Sequence, residues 1–451
     1  MLSPRYVMVR RTFHATVRMF RASYDSKTSS SHSQIGSLCS ICASSLEHMK
    51  RPELFRDQEY APGSVGDIFR LIRSGAVTSR SALARKIGMA PSTVSLRVDA
   101  LVRLGLVTEG DNELSRGGRR ARSLEVPGSA GFVGAMDVGA HHVQLAIADL
   151  TGVLLVVEDV PVSIEDGPSS AVERLWCALT DLVVANGLEP ELLRGVAIGL
   201  PAPIEFPSGR VVLPSFMPSW HNADLPALFS AHTAVPVLVE NDANLIALAE
   251  QSNVHPETDE LLAIKLGTRI GCGIISSGRL HRGVGGAAGE ISHTSVEGTS
   301  TISCVCGAPH CLESVASGGA IVARLAAEGY DVRTASDVVE LGRGGDAHVV
   351  DVLRTAGTSI GGVLSSIVNF FNPRDVVLGG AMSASAPLVA AIRAELFQKC
   401  LPLVTNDLEV RAASSPGDAG VRGATHLILE EVLAPARIER LVRELDGAAA
   451  S

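Results

Sequence analysis

The sequence contains no uninterrupted apolar stretch of about 18 residues, the length that a membrane-spanning helix needs. Even the segment "GVLLVVEDVPV" is interrupted by Glu158 and Asp159. The eight cysteines are scattered apart from one cluster of three, so they do not form the dense framework of a small secreted domain. These absences predict a globular protein of the cytoplasm that has no membrane partner.

Lysine is also scarce, with 5 Lys against 34 Arg, which is the bias of a GC-rich bacterial gene. Residues 1–62 include the stretch "RYVMVRRTFHATVRMFRASYDSKTSSSHSQ", which is almost free of acids and superficially resembles an organellar transit peptide. In a bacterial gene, Met49 is an alternative start of the chain. We predict that residues 1–62 form a disordered extension, in which Cys39 and Cys42 are only a weak signal for metal binding or redox chemistry.

The rest of the chain divides into a basic head and an acidic body. With 451 residues, 46% of them hydrophobic, and a mean hydropathy of +0.25, it can form roughly two to four domains with large buried cores. Residues 64–126 carry 11 Lys+Arg and 6 Asp+Glu, whereas residues 127–451 carry 19 and 37. This distribution favours a polyanionic partner at one end, although a charge bias alone is often just a solvated surface.

Residues 63–127 have the pattern of a small helical head. In "SVGDIFRLIRSG" the apolar residues fall on one helical face, "SRSALARKIG" is a short capped helix, and "APSTVSLRVDALVRLG" begins at Pro91 and repeats apolar residues at helical spacing. This is the spacing of a helix-turn-helix. The start of the third helix carries the polar side chains that a recognition helix presents to base edges, namely Ser92, Thr93, Ser95 and Arg97.

The segment "LVTEGDNELSRGGRRARSLEV" predicts two short strands around a basic loop, as in a winged helix. A wing would place four arginines on phosphates or in the minor groove: Arg116, Arg119, Arg120 and Arg122. The turn spacing, the polar start of the third helix and the basic wing together predict binding to operator DNA. The alternative is a helical bundle that serves dimerisation or packs on the body.

The body alternates between β and α patterns. "LRGVAIGLPAPI" predicts a buried strand that ends in a Gly-Pro loop, and similar units return in "DELLAIKLGTRIGCGIISSGRLHRG" and "DVLRTAGTSIGGVLSSIVNFFNPRDVVLGGAMS". We predict two similar α/β lobes, residues 128–245 and 246–451, with glycine loops that face a shared cleft and a C-terminal helix that returns to the first lobe.

Three motifs of the body resemble those of the ROK family, named for repressors, open reading frames and kinases. "GEISH" (289–293) and "CVCGAPHCLE" (304–313) resemble the family's Gly-Glu-x-Gly-His and Cys-x-Cys-Gly-x-x-Gly-Cys-x-Glu signatures, with Ser292 and His310 in place of glycines. "VENDANLIALAE" (239–250) resembles the catalytic Glu-Asn-Asp-Ala-Asn segment. The resemblance covers residues 63–435 and implies an actin-like ATPase (ribonuclease H-like) body of two lobes behind the winged helix-turn-helix head.

The resemblance assigns four metal ligands, His293, Cys304, Cys306 and Cys311. One imidazole and three thiolates are the soft tetrahedral set that zinc prefers, and four protein ligands leave no position for an activated water, so the zinc would be structural. His310 is a competing ligand at a position where the family has glycine. The alternatives are a disulfide between two of the cysteines or plain buried thiols.

The resemblance also implies a sugar site. Its contacts to sugar hydroxyls would be Asn241, Asp242, Glu290, His293 and Glu313. Hydroxyls need such a mixture of donors and acceptors, because each buried polar group left unpaired costs about 1–3 kcal/mol. His293 can bind zinc through one ring nitrogen and donate to the sugar through the other.

The nucleotide loops depart from the family pattern. The corresponding loop residues are Asp137, Gly139, Gly267, Thr268, Gly271, Gly379 and Gly380. His141 stands in place of the threonine of Asp-x-Gly-x-Thr, and Arg269 stands in place of a glycine of Gly-Thr-Gly-x-Gly. Arg269 would fill the nucleotide's place and pair with Asp137, or would bind phosphate instead. We therefore expect a partly degraded ATP site.

Three functions follow as hypotheses. The first is a sugar-responsive transcriptional regulator of carbohydrate metabolism, a repressor, which binds operator DNA and a sugar or sugar phosphate as a homodimer or homotetramer on the nucleoid. The second is a hexose kinase that uses Mg-ATP, with Asp242 as the catalytic base. The third is a sugar-independent adapter, which leaves the sugar residues unexplained.

Overall fold

The computed structural model describes residues 63–112, 122–139, 143–214, 217–253 and 258–449. Several predictions concern residues outside these ranges. They are the extension over residues 1–62 with Cys39 and Cys42, the wing arginines Arg116, Arg119 and Arg120, and the loop residue His141.

The head contains a helix-turn-helix followed by an antiparallel strand pair. Its elements are α1 (Val65–Arg73), α2 (Arg80–Ile87), α3 (Pro91–Arg103), β1 (Thr108–Asn112) and β2 (Arg122–Glu125). The hydroxyl of Ser79 accepts a hydrogen bond from the first turn of α2, and Gly88 ends that helix in the left-handed conformation. Pro91 then begins α3, a position where its missing N–H costs nothing. The predicted turn is therefore present.

The apolar periodicity of the head becomes its core. The residues buried between the three helices include Ile68, Phe69, Leu83, Val94, Val98 and Leu101. Strand β2 joins this core through Leu124, whose backbone N–H donates to the carbonyl of Thr78. The wing is thereby attached to the start of α2.

The first lobe is built on a five-stranded sheet in the order β5-β4-β3-β6-β9. The strands are β3 (Phe132–Val138), β4 (Val143–Asp149), β5 (Leu154–Val160), β6 (Leu193–Leu200) and β9 (Val237–Asn241). Strands β3, β6 and β9 are parallel, and β3, β4 and β5 form an antiparallel meander. Between them lie α4 (Pro168–Ala185), the hairpin β7 (Ile204–Glu205) and β8 (Arg210–Val211), and α5 (Leu225–Phe229).

The second lobe repeats that topology, with the strand order β12-β11-β10-β13-β14. The strands are β10 (Leu261–Leu266), β11 (Ile270–Ser276), β12 (Arg279–Leu280), β13 (Asp375–Gly379) and β14 (Glu409–Ala412). Strands β10, β13 and β14 are parallel, and β10, β11 and β12 form an antiparallel meander. The repeated order is the structural counterpart of the repeated sequence pattern.

The helices of the second half connect the lobes and the head. They are α6 (Asp242–Asn253), α7 (Leu312–Ala316), α8 (Gly318–Ala327), α9 (Ala335–Arg343), α10 (Ala347–Phe371), α11 (Ala386–Lys399), α12 (Pro402–Thr405), α13 (Ala419–Val432) and α14 (Pro435–Ala449). Helix α6 packs on β10 and β11, and the proposed lobe boundary after residue 245 falls inside it. Among the described residues, no helix combines the length and the apolar character that crossing a bilayer demands.

Helix α13 packs on β3 and β6 of the first sheet and on α6. The chain then continues into α14, which lies against α1 of the head. Arg73 of α1 lies 3.6 Å from Glu430 of α13, and Arg103 of α3 lies 3.0 Å from Asp446 of α14. The head is thus in direct contact with the C-terminal helices.

Candidate functional site

A loop without regular secondary structure brings together one imidazole and three thiols. His293 closes a short 3-10 turn (Ile291–His293), and Cys311 immediately precedes α7. The Sγ atom of Cys304 lies 3.2 Å from Nδ1 of His293 and 3.3 Å from Sγ of Cys306. The Sγ atoms of Cys306 and Cys311 are 3.4 Å apart. All three cysteines are free thiols, so the disulfide considered as an alternative is not formed.

These four side chains fit a metal ion. Their ligand atoms all lie within 4.8 Å of one another, as the corners of a tetrahedron around one ion would. His310 is not part of the group: its Nδ1 lies 2.9 Å from the carbonyl oxygen of Gly298. Its φ of 58° is left-handed, the conformation that a glycine would adopt without strain. His310 therefore has a backbone conformation that glycine adopts freely, and its side chain is not among the clustered ligand atoms, so its predicted role as a competing ligand is not supported.

The predicted sugar contacts line one pocket between the two lobes, called here the polyol pocket. All five lie in its wall: Asn241, Asp242, Glu290, His293 and Glu313. Asn241 ends β9 and Asp242 begins α6, whereas Glu313 lies in the first turn of α7. Three elements of both lobes therefore present polar groups to a single space.

Asn241 has a structural role in addition to lining the pocket. Its Oδ1 accepts hydrogen bonds from the N–H groups of Ala243 and Asn244, which caps α6, and its Nδ2 donates to the carbonyl of Ala202. The side-chain amide has a second N–H that a ligand hydroxyl can accept. The cap fixes where that donor lies.

Asp242 is in ion-pair contact with Lys265, which projects from β10. Burial raises the pKa of Asp242, and the charge of Lys265 opposes that shift. Burial by itself would lower the pKa of Lys265, but the carboxylates of Asp242 and Asp137 outweigh it and raise the pKa above its ordinary value. Lys265 therefore stays charged and forms an ion pair with the Asp242 carboxylate at the entrance to the pocket.

Glu313 is paired in a similar way. Its Oε1 accepts from Nη1 of Arg269 at 2.7 Å, and its Oε2 accepts from the backbone N–H of Ile270 at 3.0 Å. Burial raises the pKa of Glu313 to about 7, although these two donors oppose the shift. Arg269 has a negative φ, so the backbone conformation at this position does not require glycine. The arginine that departs from the family loop thus binds a residue of the polyol pocket.

Glu290 and His293 lie on the same side of the short turn, with Oε2 of Glu290 3.8 Å from Nε2 of His293. Burial, and then the charge of Asp242, raise the pKa of Glu290, whereas burial and Arg269 lower the pKa of His293. The turn begins after Gly289, whose φ is +93° and where a β-carbon would lie 1.9 Å from the carbonyl oxygen of Cys272. Only glycine fits this approach between the turn and β11.

Asn244 also lines the polyol pocket, and sequence reasoning missed it. Its Nδ2 donates to Oε1 of Glu240 at 2.8 Å, but its buried Oδ1 has no hydrogen-bond partner among the described residues. A buried acceptor without a partner is costly, and a ligand hydroxyl would satisfy it. The available signal was its position two residues after Asp242, inside the Asn-Asp-Ala-Asn segment.

A second space, called here the loop cleft, adjoins the polyol pocket. It is lined by most of the predicted nucleotide-loop residues, namely Asp137, Gly139, Gly267, Thr268, Gly379 and Gly380. Gly271 instead lines the polyol pocket. Asp242, Lys265 and Arg269 line both spaces and are called here the neck. Two cations therefore stand at the point where the pocket and the cleft meet.

The candidate DNA-binding surface lies on α3 and the wing. On α3, Ser92 is exposed, and the other polar residues predicted to face DNA are half-buried: Thr93, Ser95 and Arg97. Leu96, between Ser95 and Arg97, is 71% exposed. On a recognition helix, an exposed apolar side chain can contact the methyl group of thymine. Arg122 of β2 is exposed and forms an ion pair with Glu109 of β1 at 2.9 Å.

Arg80 of α2 connects α3 to the wing. Its guanidinium donates to Glu109 of the wing at 2.8 Å, to Asp99 of α3 at 2.6 Å, and to the carbonyl of Ser95 at 3.0 Å. One side chain thus links α2, α3 and the wing. The spacing between the recognition helix and the wing is fixed by these bonds.

Known proteins resemble both parts of the chain. Residues 133–431 match the ROK family, and residues 66–108 match a winged helix-turn-helix DNA-binding family. A glucokinase of Halalkalibacterium halodurans is 31% identical over 66% of this chain and 95% of its own length. A xylose repressor of Bacillus spizizenii is 27% identical over 81% of this chain and 94% of its own length.

A solved structure agrees with the fold. It is a ROK family transcriptional regulator, a homolog of the E. coli MLC protein, with a TM-score of 0.72 at 24% identity, over 84% of this chain and 98% of that chain. At this identity the likeness concerns the fold, and it confirms the two-lobed actin-like body behind a winged head. By its matched segment and its architecture, the chain belongs to the ROK family.

Proposed function

We propose that the chain is a sugar-responsive transcriptional regulator that acts as a repressor on operator DNA. The observation that supports the proposal is the presence of a winged helix-turn-helix and a pocket of polar side chains in one chain, in which α13 packs on α6, the helix that begins at Asp242, and α14 packs on α1 of the head. The xylose repressor aligns across both parts, whereas the glucokinase aligns over a shorter share of the chain. Such a regulator would work in the cytoplasm, on the nucleoid.

The head would read the operator with α3. Ser92, Thr93, Ser95 and Arg97 would face base edges, and the wing arginines Arg116, Arg119, Arg120 and Arg122 would bind phosphates or the minor groove. Operators of helix-turn-helix proteins are usually two-fold symmetric, so the working unit would be a homodimer or a homotetramer. A sugar can change DNA binding only if its affinity differs between the two arrangements of the heads.

The polyol pocket would bind the effector through Asn241, Asp242, Glu290, His293 and Glu313. A zinc ion held by His293, Cys304, Cys306 and Cys311 would fix the loop that carries two of these groups. With four protein ligands, such an ion supplies structural support and no activated water. Nδ1 of His293 faces Cys304, whereas Nε2 faces Glu290. Nδ1 would therefore bind the metal, and Nε2 would donate to the sugar.

The ATP site would be degraded at its phosphate end. Lys265 contacts Asp242, the residue that the kinase alternative needs as a base, and Arg269 contacts Glu313. The alternative is supported by the glucokinase relative and by the loop cleft, where Mg-ATP would bind near Asp137 and Gly267. We expect no ADP release in a coupled assay with Mg-ATP and a panel of hexoses. Turnover that Asp242→Asn abolishes would support the kinase instead.

The test of the regulator is a mobility shift on a DNA fragment from the gene's own locus, in the presence of excess competitor DNA. We expect a specific complex that one sugar or sugar phosphate of a panel dissociates or stabilises. A double variant, Ser92→Ala with Arg97→Ala, should lose the complex and keep its melting temperature. A protein that does not bind this DNA even at low salt would refute the proposal.

A further inference from the structure

A loop of the second lobe crosses to the first lobe beside the polyol pocket. This loop, residues 282–289, follows β12 and is called here the bridging loop. The backbone N–H of Phe206 in the first lobe donates to the carbonyl oxygen of Gly285 at 3.3 Å. A β-carbon on Gly286, whose φ is +94°, would lie 2.1 Å from the carbonyl oxygen of Ile204, an approach that only glycine allows. Because Gly286 also lines the polyol pocket, the two lobes are in contact at the pocket wall.

Arg282, at the start of the bridging loop, contacts two residues of the first lobe. Its Nε donates to Oε2 of Glu240 at 2.6 Å, and the two side chains are only 13% and 6% exposed. Its guanidinium carbon lies 4.9 Å from the centroid of the Phe206 ring, whose face attracts a cation. A buried carboxylate is costly without its partner, so the ion pair fixes the position of the Glu240 side chain.

The other carboxylate oxygen of Glu240 orients Asn244. Oε1 of Glu240 accepts from Nδ2 of Asn244 at 2.8 Å and from the backbone N–H of Asn241 at 2.9 Å. A carboxylate oxygen only accepts hydrogen bonds, so it selects the amide orientation in which Nδ2 of Asn244 faces Glu240. The amide oxygen of Asn244 is then left as a buried acceptor that has no partner within the described ranges, in a side chain that lines the polyol pocket. A ligand hydroxyl would satisfy this acceptor.

We propose that Arg282 is a positioning residue of the effector site, which through Glu240 holds the amide of Asn244 with its oxygen available to one hydroxyl of the sugar. The inference rests on the proposed function and names a determinant of ligand specificity in the same pocket. A sugar with a hydroxyl at that position satisfies Oδ1 of Asn244, whereas the corresponding deoxy sugar leaves this acceptor unpaired.

The same pair links ligand binding to the arrangement of the lobes. Arg282 belongs to the second lobe and Glu240 to the first sheet, so separation of the lobes would break their ion pair and release the amide of Asn244. A ligand that uses Oδ1 therefore favours the arrangement in which the pair is formed. Such a difference in affinity between two arrangements is what an effector requires.

The experiment is calorimetric titration of the full chain with free aldoses and aldose phosphates, and with the monodeoxy derivatives of the compound that binds best. We expect each hydroxyl that the pocket binds to contribute about ten-fold in affinity, so several derivatives bind the unaltered protein more weakly than the parent. Arg282→Met should weaken binding of the parent about ten-fold, to the affinity of one derivative, the one that lacks the hydroxyl bound by Asn244. The ratios for the other derivatives should not change.

Two further substitutions test the same path. Glu240→Gln removes the carboxylate, and because its amide can donate as well as accept, it no longer selects the orientation of Asn244. It should bring the same single ratio close to one. Arg282→Lys keeps a cation at this position and should restore part of that ratio, which a merely structural role of Arg282 would not require.

Asn244→Leu identifies the hydroxyl independently, because it removes the acceptor itself. Arg282→Met combined with Asn244→Leu should lose no more affinity for the parent than Asn244→Leu alone. Arg411→Met is the matched control, because Arg411 is 18% exposed and pairs with the buried Glu250 outside the polyol pocket. It should lower the melting temperature and leave every ratio unchanged.

The outcomes separate the two proposals. If Arg282→Met weakens the parent and all derivatives equally, or if its loss adds to that of Asn244→Leu, the inference is overturned and the regulator stands. It is also overturned if Asn244→Leu changes no ratio. Failure of every compound to bind or to change the DNA complex overturns both proposals. Glu240→Gln supplies the same readout should Arg282→Met fail to fold.

Discussion

Gly66 of head helix α1 packs directly against Pro435, the first residue of α14. A β-carbon on Gly66 would lie 2.3 Å from the Cα atom of Pro435 and 2.6 Å from its carbonyl oxygen. Carbon atoms in folded proteins do not approach so closely, and the neighbouring atoms here are backbone. The contact between the head and the C-terminal helices therefore requires glycine at residue 66.

Gly66→Val should separate α14 from α1 and lower the free energy of unfolding. Overpacking costs about 1–3 kcal/mol, which exceeds the roughly 0.5–1 kcal/mol that a helix gains when glycine is replaced. Thermal unfolding and operator binding measure the effect. Gly128→Val is the matched control, because nothing lies within 4 Å of a β-carbon there. Equal stability of the two variants would show that the contact does not hold the head.

Zinc analysis tests the cysteine cluster. Purified protein should contain about one zinc ion per chain, and Cys306→Ser should lose the metal together with sugar affinity, because the loop also positions Glu290 and His293. Cys177→Ser is the control, since Cys177 is an exposed free cysteine outside the cluster. Protein that is purified without chelator, lacks zinc and still binds sugar would contradict the structural role.

Arg122→Ala tests the contribution of the wing. Removal of one phosphate contact should lower the slope of log affinity against log salt by about one, with a similar loss on specific and non-specific DNA. Arg122 is 70% exposed and paired with Glu109, so stability should change little. Arg343→Ala removes a similarly exposed arginine paired with Glu340 of the body, and its slope should equal that of the unaltered protein.

Asn244→Leu tests the residue that sequence reasoning missed. The substitution removes an acceptor that has no partner in the described part of the protein and also the Nδ2 donor to Oε1 of Glu240, so the ligand-free protein should lose about 1–3 kcal/mol of stability. A ligand hydroxyl that bonds to Oδ1 would lose about 1–3 kcal/mol, or about ten-fold or more in affinity. Calorimetry and thermal unfolding measure the two effects. Unchanged ligand affinity would place Asn244 outside the binding site.

Much of the fold follows from local patterns. The apolar faces of "SVGDIFRLIRSG" and "APSTVSLRVDALVRLG" became the buried residues of the head, and the glycine at residue 88 marked the end of α2. The two β-rich stretches that share a pattern became two sheets of the same strand order. These features depend on residues within one or two turns of each other, so a single sequence contains them.

The pairings at the neck depend on tertiary contact instead. Arg269 donates to Glu313, 44 residues further along the chain, and no local pattern predicted this partner. The contact between Lys265 and Asp242 joins residues 23 positions apart on different elements. The packing of α14 on α1 joins the two ends of the described chain and had no local signal. Local sequence patterns do not specify the partners of these residues, because the partners come together only when the chain folds.

Helix α13 has one end in the loop cleft, at Ala419 and Gly420, and the other beside the head, at Glu430. Its 14 residues make a stiff rod about 21 Å long. Such a rod acts as a lever, because a tilt of about 10° about its cleft end displaces the far end by about 4 Å. A hydrogen bond to a base edge tolerates only a few tenths of an ångström. A tilt of α13 by a few degrees on closure of the lobes would therefore be enough to displace α3 from its hydrogen-bonding position in the DNA groove.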